Sequence, residues 1–226
     1  MKRKFGLGYL LATCLGLAIQ INTANAGVIA THTSRAGFKA AAGATTLEDF
    51  NSFTTEVDFL TTPLDVGDFT ISTTNTNTNA TRNFIDLPPV QFTDFDIDGT
   101  SVVNAFLENG DTLSLTFDAP ITAFGADFGD LNAFSSVGTE IFAAGETLIP
   151  PPTLVSEVRF FGFTSDTEFT TIEFRGLGFD GFSIDNVEFA PAVSGVVPEP
   201  TSMAIFGALA LATVSTRRRS VQVINI

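Results

Sequence analysis

The chain has 226 residues, with 25 acidic against 11 basic side chains and a formal net charge of −14. That length holds one domain or two small ones, and 44% hydrophobic residues are enough to build a core, which excludes a wholly disordered acidic chain. A single Cys excludes a disulfide scaffold and Cys-based zinc, and the acidity would repel nucleic-acid phosphates, so no nucleic-acid partner is expected.

The basic residues lie mostly at the two ends. Lys2, Arg3 and Lys4 open the chain and precede an apolar run from Phe5 to Ile21. The run is short and interrupted by Gly, and Ala24 and Ala26 then place small residues at −3 and −1. This pattern is a secretory signal peptide over 1–26, cut by signal peptidase before Gly27. An uncleaved anchor is the alternative. A lipobox at Leu11–Cys14 is a poorer fit, because Thr13 precedes the Cys and the apolar run continues past it. After cleavage at Gly27 the chain has no Cys, Tyr or Trp. The segment 27–197 carries 24 acidic and five basic residues, a net of −19.

A body over 27–196 follows and is read as all-β, a single β-sandwich or jelly-roll domain with one short N-terminal helix. Thr33 or Ser34 caps that helix, Ala36–Ala42 forms it, Phe38 gives it an apolar contact and Gly43 ends it. Thr73–Thr81 is a run of Thr and Asn, read as a polar loop rather than an ice-binding Thr row, because no second copy of it occurs. Asp94, Asp96 and Asp98, followed by Gly99, match the opening of a calcium loop. The position where such a loop places its bidentate Glu is Ala105, however, and Phe92, Phe95 and Ile97 suggest a strand end with Asp98-Gly99 as a hairpin turn.

Leu113, Leu115 and Phe117 alternate on one strand face. Ala119-Pro120 is expected to turn the chain into a next strand over 121–128. A strand over 140–148 follows, and then 154–163 and 169–174 as a hairpin. The last strand, 182–189, carries Phe182 and Ile184 on one face, while Val187 and Phe189 are out of phase with them. A bulge at Asp185-Asn186 would account for the shift. The body contains 22 of the 24 Phe residues, enough for a core without disulfides.

At the far end Pro198-Glu199-Pro200 precedes a short apolar run over about 202–214 and the basic cluster Arg217, Arg218 and Arg219. Physically this is a proline punctuation, a short transmembrane helix marginal for a ~30 Å hydrocarbon core, and a positive stop that stays cytoplasmic. The segment 197–226 resembles the PEP-CTERM sorting signal of Gram-negative bacteria, which is also labelled an ice-binding protein C-terminal domain. The resemblance implies recognition by exosortase, a transient inner-membrane anchor, and a final place at the cell surface or in the extracellular matrix. Ser220–Ile226 extends past the usual end of such tails.

Four stretches of the body, Thr46–Phe53, Thr116–Gly125, Phe161–Ser165 and Gly181–Phe189, resemble the β-sandwich bodies of many PEP-CTERM proteins. The body is more distantly similar to carbohydrate-binding jelly rolls. The resemblance implies a structural Ca²⁺ between first and last strands, at Asp49 and Asp185. Asn51 stands where a Glu is usual.

Catalysis has little support in the sequence. His32 is the only His, no Gly-x-Ser-x-Gly turn is present, and 24 acids make a carboxylate pair uninformative. No enzyme is expected. The expected function is a structural or interaction protein of the exterior. The alternative is a carbohydrate-binding module for exopolysaccharide, which would require Phe side chains lining an exposed face.

Overall fold

The computed structural model describes residues 28–75, 83–91, 93–133 and 138–192, and every structural statement below concerns these residues. The signal-cleavage residues Ala24, Ala26 and Gly27, the tail residues Pro198, Glu199, Pro200, Arg217, Arg218 and Arg219, and most of the Thr/Asn run lie outside them. The described residues up to Pro191 belong to one compact unit.

The first described elements are β1 (Val28–His32) and α1 (Arg35–Ala42). The helix begins where Ser34 Oγ accepts the Gly37 N–H at 3.3 Å and ends at Gly43, whose φ of +79° a side chain would strain. Its Phe38 is fully buried against Ala123, Ala190 and Phe160. The helix can come this close because Gly162 lies beneath it. A Cβ there would stand 3.0 Å from Phe38 and 2.9 Å from the Phe124 carbonyl.

Eleven further strands join β1 in one twelve-stranded antiparallel sheet. They are β2 (Thr46–Glu48), β3 (Val57–Asp58), β4 (Leu64–Asp65), β5 (Phe69–Thr73), β6 (Phe84–Asp86), β7 (Val102–Leu107), β8 (Thr112–Gly129), β9 (Thr139–Ala143), β10 (Glu146–Leu148), β11 (Val158–Gly176) and β12 (Asp180–Pro191). The main path runs β10-β9-β11-β8-β12-β7-β6-β3, with β1 on β11, β2 on β12, and β4 on β5, which itself joins β8. All-β architecture with one short helix is therefore what the chain adopts.

Three strand expectations need correction. Ala119-Pro120 does not end a strand. β8 continues through it and changes partner, pairing with β5 over 113–117 and with β12 from Ile121 onward. Pro120 offers no N–H to a ladder, and the exposed residues 118–120 take up a register jog instead of a reversal. The hairpin expected between 154–163 and 169–174 is likewise one long strand. Both halves of β11 pair with β8, as Phe163↔Phe124 and Phe174↔Leu113 show. Ser165 Oγ bonds the N–H and carbonyl of Thr167, so the chain jogs locally between the halves. The single strand expected over 140–148 is the hairpin β9–β10, turned at Ala144 and Gly145, both at positive φ.

The alternation shift in the last strand is as expected. Register slips between Asp185 and Glu188, and Asn186 has φ +51°. Phenylalanine rings fill the core. Phe174 meets Phe124, Phe128 and Phe182 at centroid distances of 6.4, 5.9 and 5.8 Å, and Phe117 meets Phe69 and Phe189 at 5.0 Å each. Among the described Phe residues whose side chains are defined, only Phe179 is exposed.

Candidate functional site

The calcium-like aspartates lie on a strap, not on a strand end. Thr93–Phe95 is a single 3-10 turn, and the chain then bends through Gly99. The strap crosses β8 and β12 where both are glycine. A Cβ on Gly181 would stand 3.2 Å from the Phe95 ring, and one on Gly129 would stand 3.7 Å from Ile97 and from the Phe95 carbonyl. Phe95 is buried by this contact, while Asp94, Asp96 and Asp98 remain exposed.

Those three carboxylates separate. Asp96 Oδ1 accepts the N–H of Gly99 at 2.6 Å, within its own turn. Asp94 Oδ1 accepts the Ser156 hydroxyl at 2.6 Å, on one side of the strap. Asp98 turns to the other side, where its Oδ1 accepts the N–H and hydroxyl of Thr100 at 3.1 and 2.5 Å.

Here the two calcium-motif readings meet. Thr100 Oγ1 also reaches Asp185 Oδ2 at 3.3 Å, so one hydroxyl joins the strap to the last strand. The bulge residue Asn186 donates its side-chain amide to Asp98 and to Asp127, both at 3.2 Å. Asp127 sits opposite Asp185 in the β8–β12 register. Asn51 Oδ1 accepts the Ser101 N–H at 3.3 Å beside this cluster, whereas Asp49 closes a local turn onto Asn51 N–H at 3.1 Å. Asp185 and Asp98 thus come together, Asn51 is a neighbour through the strap backbone, and Asp49 is spent locally.

Asp185 is fully buried, and its carboxyl is pushed up to about 8, first by loss of water and then by the Asp98 and Asp127 charges. Hydrogen bonds from Thr100 and Asn186 hold Asp98 below the ordinary carboxylate value. As arranged, N–H and O–H donors meet these carboxylates. Rotating the Asn186 amide would turn its oxygen toward Asp98 and Asp127 in place of the N–H it now donates. Among the described residues no group of three or more His, Cys, Asp or Glu forms a ready metal cage.

Positive charge approaches the cluster from α1. Arg35 pairs with Asp127 at 2.8 Å and with Glu188, and its guanidinium lies 4.9 Å from the Phe160 ring centroid. Lys39 joins Glu188 at 3.1 Å, and Thr45 donates to the same carboxylate at 3.1 Å. Glu188 is buried, so these partners fasten helix to sheet. No local pattern marks Arg35, Asp127 or Glu188 in the sequence. They meet only after β8, β12 and α1 assemble.

Beside the Phe160 ring that Arg35 covers lies a cavity of about 460 Å³ lined by Thr33, Pro151, Val158, Arg159 and Phe160. Exposed Ile149, Leu154, Val155 and Val158 fall in the same proline-rich stretch. Phe142 and Phe160, both half-buried, are covered by Arg175 and Arg35 respectively. The described Phe side chains therefore form no exposed row on which sugar rings could stack.

No family model and no curated protein matches the chain. Among solved structures, the K2 cleaved adhesin domain of Lys-gingipain (Kgp) aligns at 13% identity with a TM-score of 0.39, over 65% of this chain and 99% of that one. No helix among the described residues is long and apolar enough to cross a membrane.

Proposed function

We propose that the protein is an exported structural or interaction protein of the cell surface or extracellular matrix, delivered by exosortase through its C-terminal tail. The observation carrying this reading is the order of segments in one chain. A basic-apolar-small start at 1–26 leads to an acidic body, and Pro198-Glu199-Pro200, a short apolar run and the Arg217–Arg219 cluster follow it in that order. On this reading the body is a β-sandwich, in which β8 pairs with β5 over 113–117 and with β12 from Ile121 onward. Because β12 ends at Pro191, cutting near Pro198 would leave every described strand intact.

The fold's investment supports an interaction role over chemistry. Its phenylalanines are spent on the core, and its buried Asp185 and Glu188 are held by hydrogen bonds and ion pairs that fasten the strap and α1. Burial of the Phe rings weakens the carbohydrate-stacking alternative.

The test compares the protein in an exosortase-containing Gram-negative host with the same host lacking that enzyme. Delivery to the exterior in the first, and retention in the inner membrane with an intact tail in the second, is the expected outcome. Equal delivery in both hosts would remove the exosortase assignment.

A further inference from the structure

A second acidic pair lies on the far side of the strap, apart from the Asp185 cluster. Asp130 follows the end of β8 and Asp180 opens β12, and both are completely buried. Each has one oxygen in a well-formed hydrogen bond, and the Gly181 N–H also lies close to the Asp180 carboxylate. Asp130 Oδ1 accepts the Ser156 N–H at 2.7 Å, while Asp180 Oδ2 accepts the Thr139 hydroxyl at 2.8 Å and the Asn132 N–H at 3.2 Å. The remaining oxygens, Asp130 Oδ2 and Asp180 Oδ1, are buried with no hydrogen-bond partner.

An orphaned buried carboxylate oxygen is costly, and two on neighbouring like-charged groups are costlier still. The two groups repel one another, and Asp130 also feels Asp94, so three carboxylates run from the exposed strap inward. Asp94 stands at the mouth, joined to the site through the Ser156 hydroxyl. No basic side chain takes part in the hydrogen bonds that hold Asp130 or Asp180. The anchoring segments, 130–132, 139, 156 and the start of β12, hold both carboxylates in place and leave Asp130 Oδ2 and Asp180 Oδ1 unused.

We propose that Asp130 Oδ2 and Asp180 Oδ1 are two ligands of a Ca²⁺ site, completed by water and neutral oxygens, with Asp94 drawing the ion in from solvent. The donor set is oxygen only, which disfavours zinc and other nitrogen- or sulfur-seeking metals. Two carboxylate oxygens held by separate segments suit Ca²⁺, with its flexible coordination, better than Mg²⁺, which demands a near-ideal octahedron. Two carboxylates with neutral oxygens correspond to the weak class of calcium site, with Kd of about 10⁻⁴–10⁻³ M. The ion would join the end of β8 to the start of β12 and the loop at Ser156. This site does not depend on the route of export.

The experiment uses the full chain in mild detergent, stripped with EDTA and then titrated with CaCl₂ or MgCl₂. The expected result is a Tm rise of about 3–10 °C at 10 mM Ca²⁺ and a smaller one with Mg²⁺. The rise should vanish in D130N and D180N and persist in D185N, which separates this site from the other cluster. If D130N or D180N does not fold, D94N on the exposed strap gives the reading, with Ca²⁺ affinity weakened several-fold by equilibrium dialysis. The proposal is overturned by no Ca²⁺ response in the wild type, by a response that persists in D130N and D180N, by an equal or larger Mg²⁺ shift, or by unchanged affinity in D94N.

Discussion

Replacing Arg35 with alanine strikes the joint between α1 and the last strand. The guanidinium contacts Asp127 at 2.8 Å, Glu188, and the Phe160 ring at 4.9 Å, and its side chain is 29% exposed. Glu188 is only 2% exposed and keeps Lys39 at 3.1 Å, while Thr45 Oγ1 still donates to it at 3.1 Å. Removing one partner of a fully buried pair costs about 3–5 kcal/mol. Partial exposure of Arg35 and the remaining Lys39 reduce this, and the lost cation–π contact adds about 0.5–1 kcal/mol. The expected cost of R35A is about 2–3 kcal/mol. Urea denaturation of wild type, R35A, E188Q and the double variant would show it, with a coupling between the two sites of about 1–2 kcal/mol. R35K should recover only part, because an ammonium cannot serve Asp127 and Glu188 together as the planar fork does. A loss under about 0.5 kcal/mol for R35A, or strict additivity with E188Q, would show that the ion pairs do not fasten the helix.

Other perturbations have equally definite outcomes. F174A removes a fully buried ring that meets three others and should cost about 3–5 kcal/mol by chemical denaturation, whereas a cost under 1 kcal/mol would mean the ring cluster is not the core. G162A places a methyl group 2.9 Å from the Phe124 carbonyl and 3.0 Å from Phe38, so it should cost about 1–3 kcal/mol, and a variant as stable as wild type would contradict the packing of α1 on the sheet. The pH response follows from Asp185, which lies near Asp98, Asp127 and, through Asp127, Arg35. Its folded value of about 8 exceeds the ordinary carboxylate value of 3.8, so the folded state holds the proton more tightly. That contribution is complete below the unfolded value and is lost as pH rises through about 8, at up to about 1.4 kcal/mol per pH unit. In metal-free buffer the unfolding free energy should therefore fall between pH 5 and pH 8, with Asp180, raised to about 6, adding to the lower part of the fall, and D185N should reduce the fall above pH 6. A profile unchanged by D185N would assign the pH response to other groups.

Much of the local structure was legible because it depends on neighbours in sequence. Ser34, the alanines after it and Gly43 specify α1 by capping and propensity. The odd-numbered apolar residues 113–117 mark a half-buried strand, and the phase change after Ile184 marks the bulge. The continuity of β8 and β11 was not legible. Ala119-Pro120 and the polar stretch at 164–168 signal a departure from regular strand, but whether the chain reverses or jogs depends on which strands wait alongside. The site divides the same way. Asp98 and Asp185 stood out by motif, yet their meeting through Thr100 is a tertiary event. Arg35, Asp127, Glu188, Asp130 and Asp180 belong to no spacing rule. Asp130 and Asp180 each neighbour a strand-end glycine, which is too common a signal to single them out. Asp94, Asp96 and Asp98 look like one motif in sequence, but the strap sends them to three different partners.

The most direct test of the exported-body reading is the intact mass of the protein recovered from outside an exosortase-containing host, compared with a variant carrying Pro198, Glu199 and Pro200 all as alanine. The wild type should begin at Gly27 and end near Pro198, without Arg217–Arg219, while the variant should keep its tail and remain in the inner membrane. An exterior protein that begins at Met1 or retains the full tail, or a variant delivered and trimmed like the wild type, would contradict it.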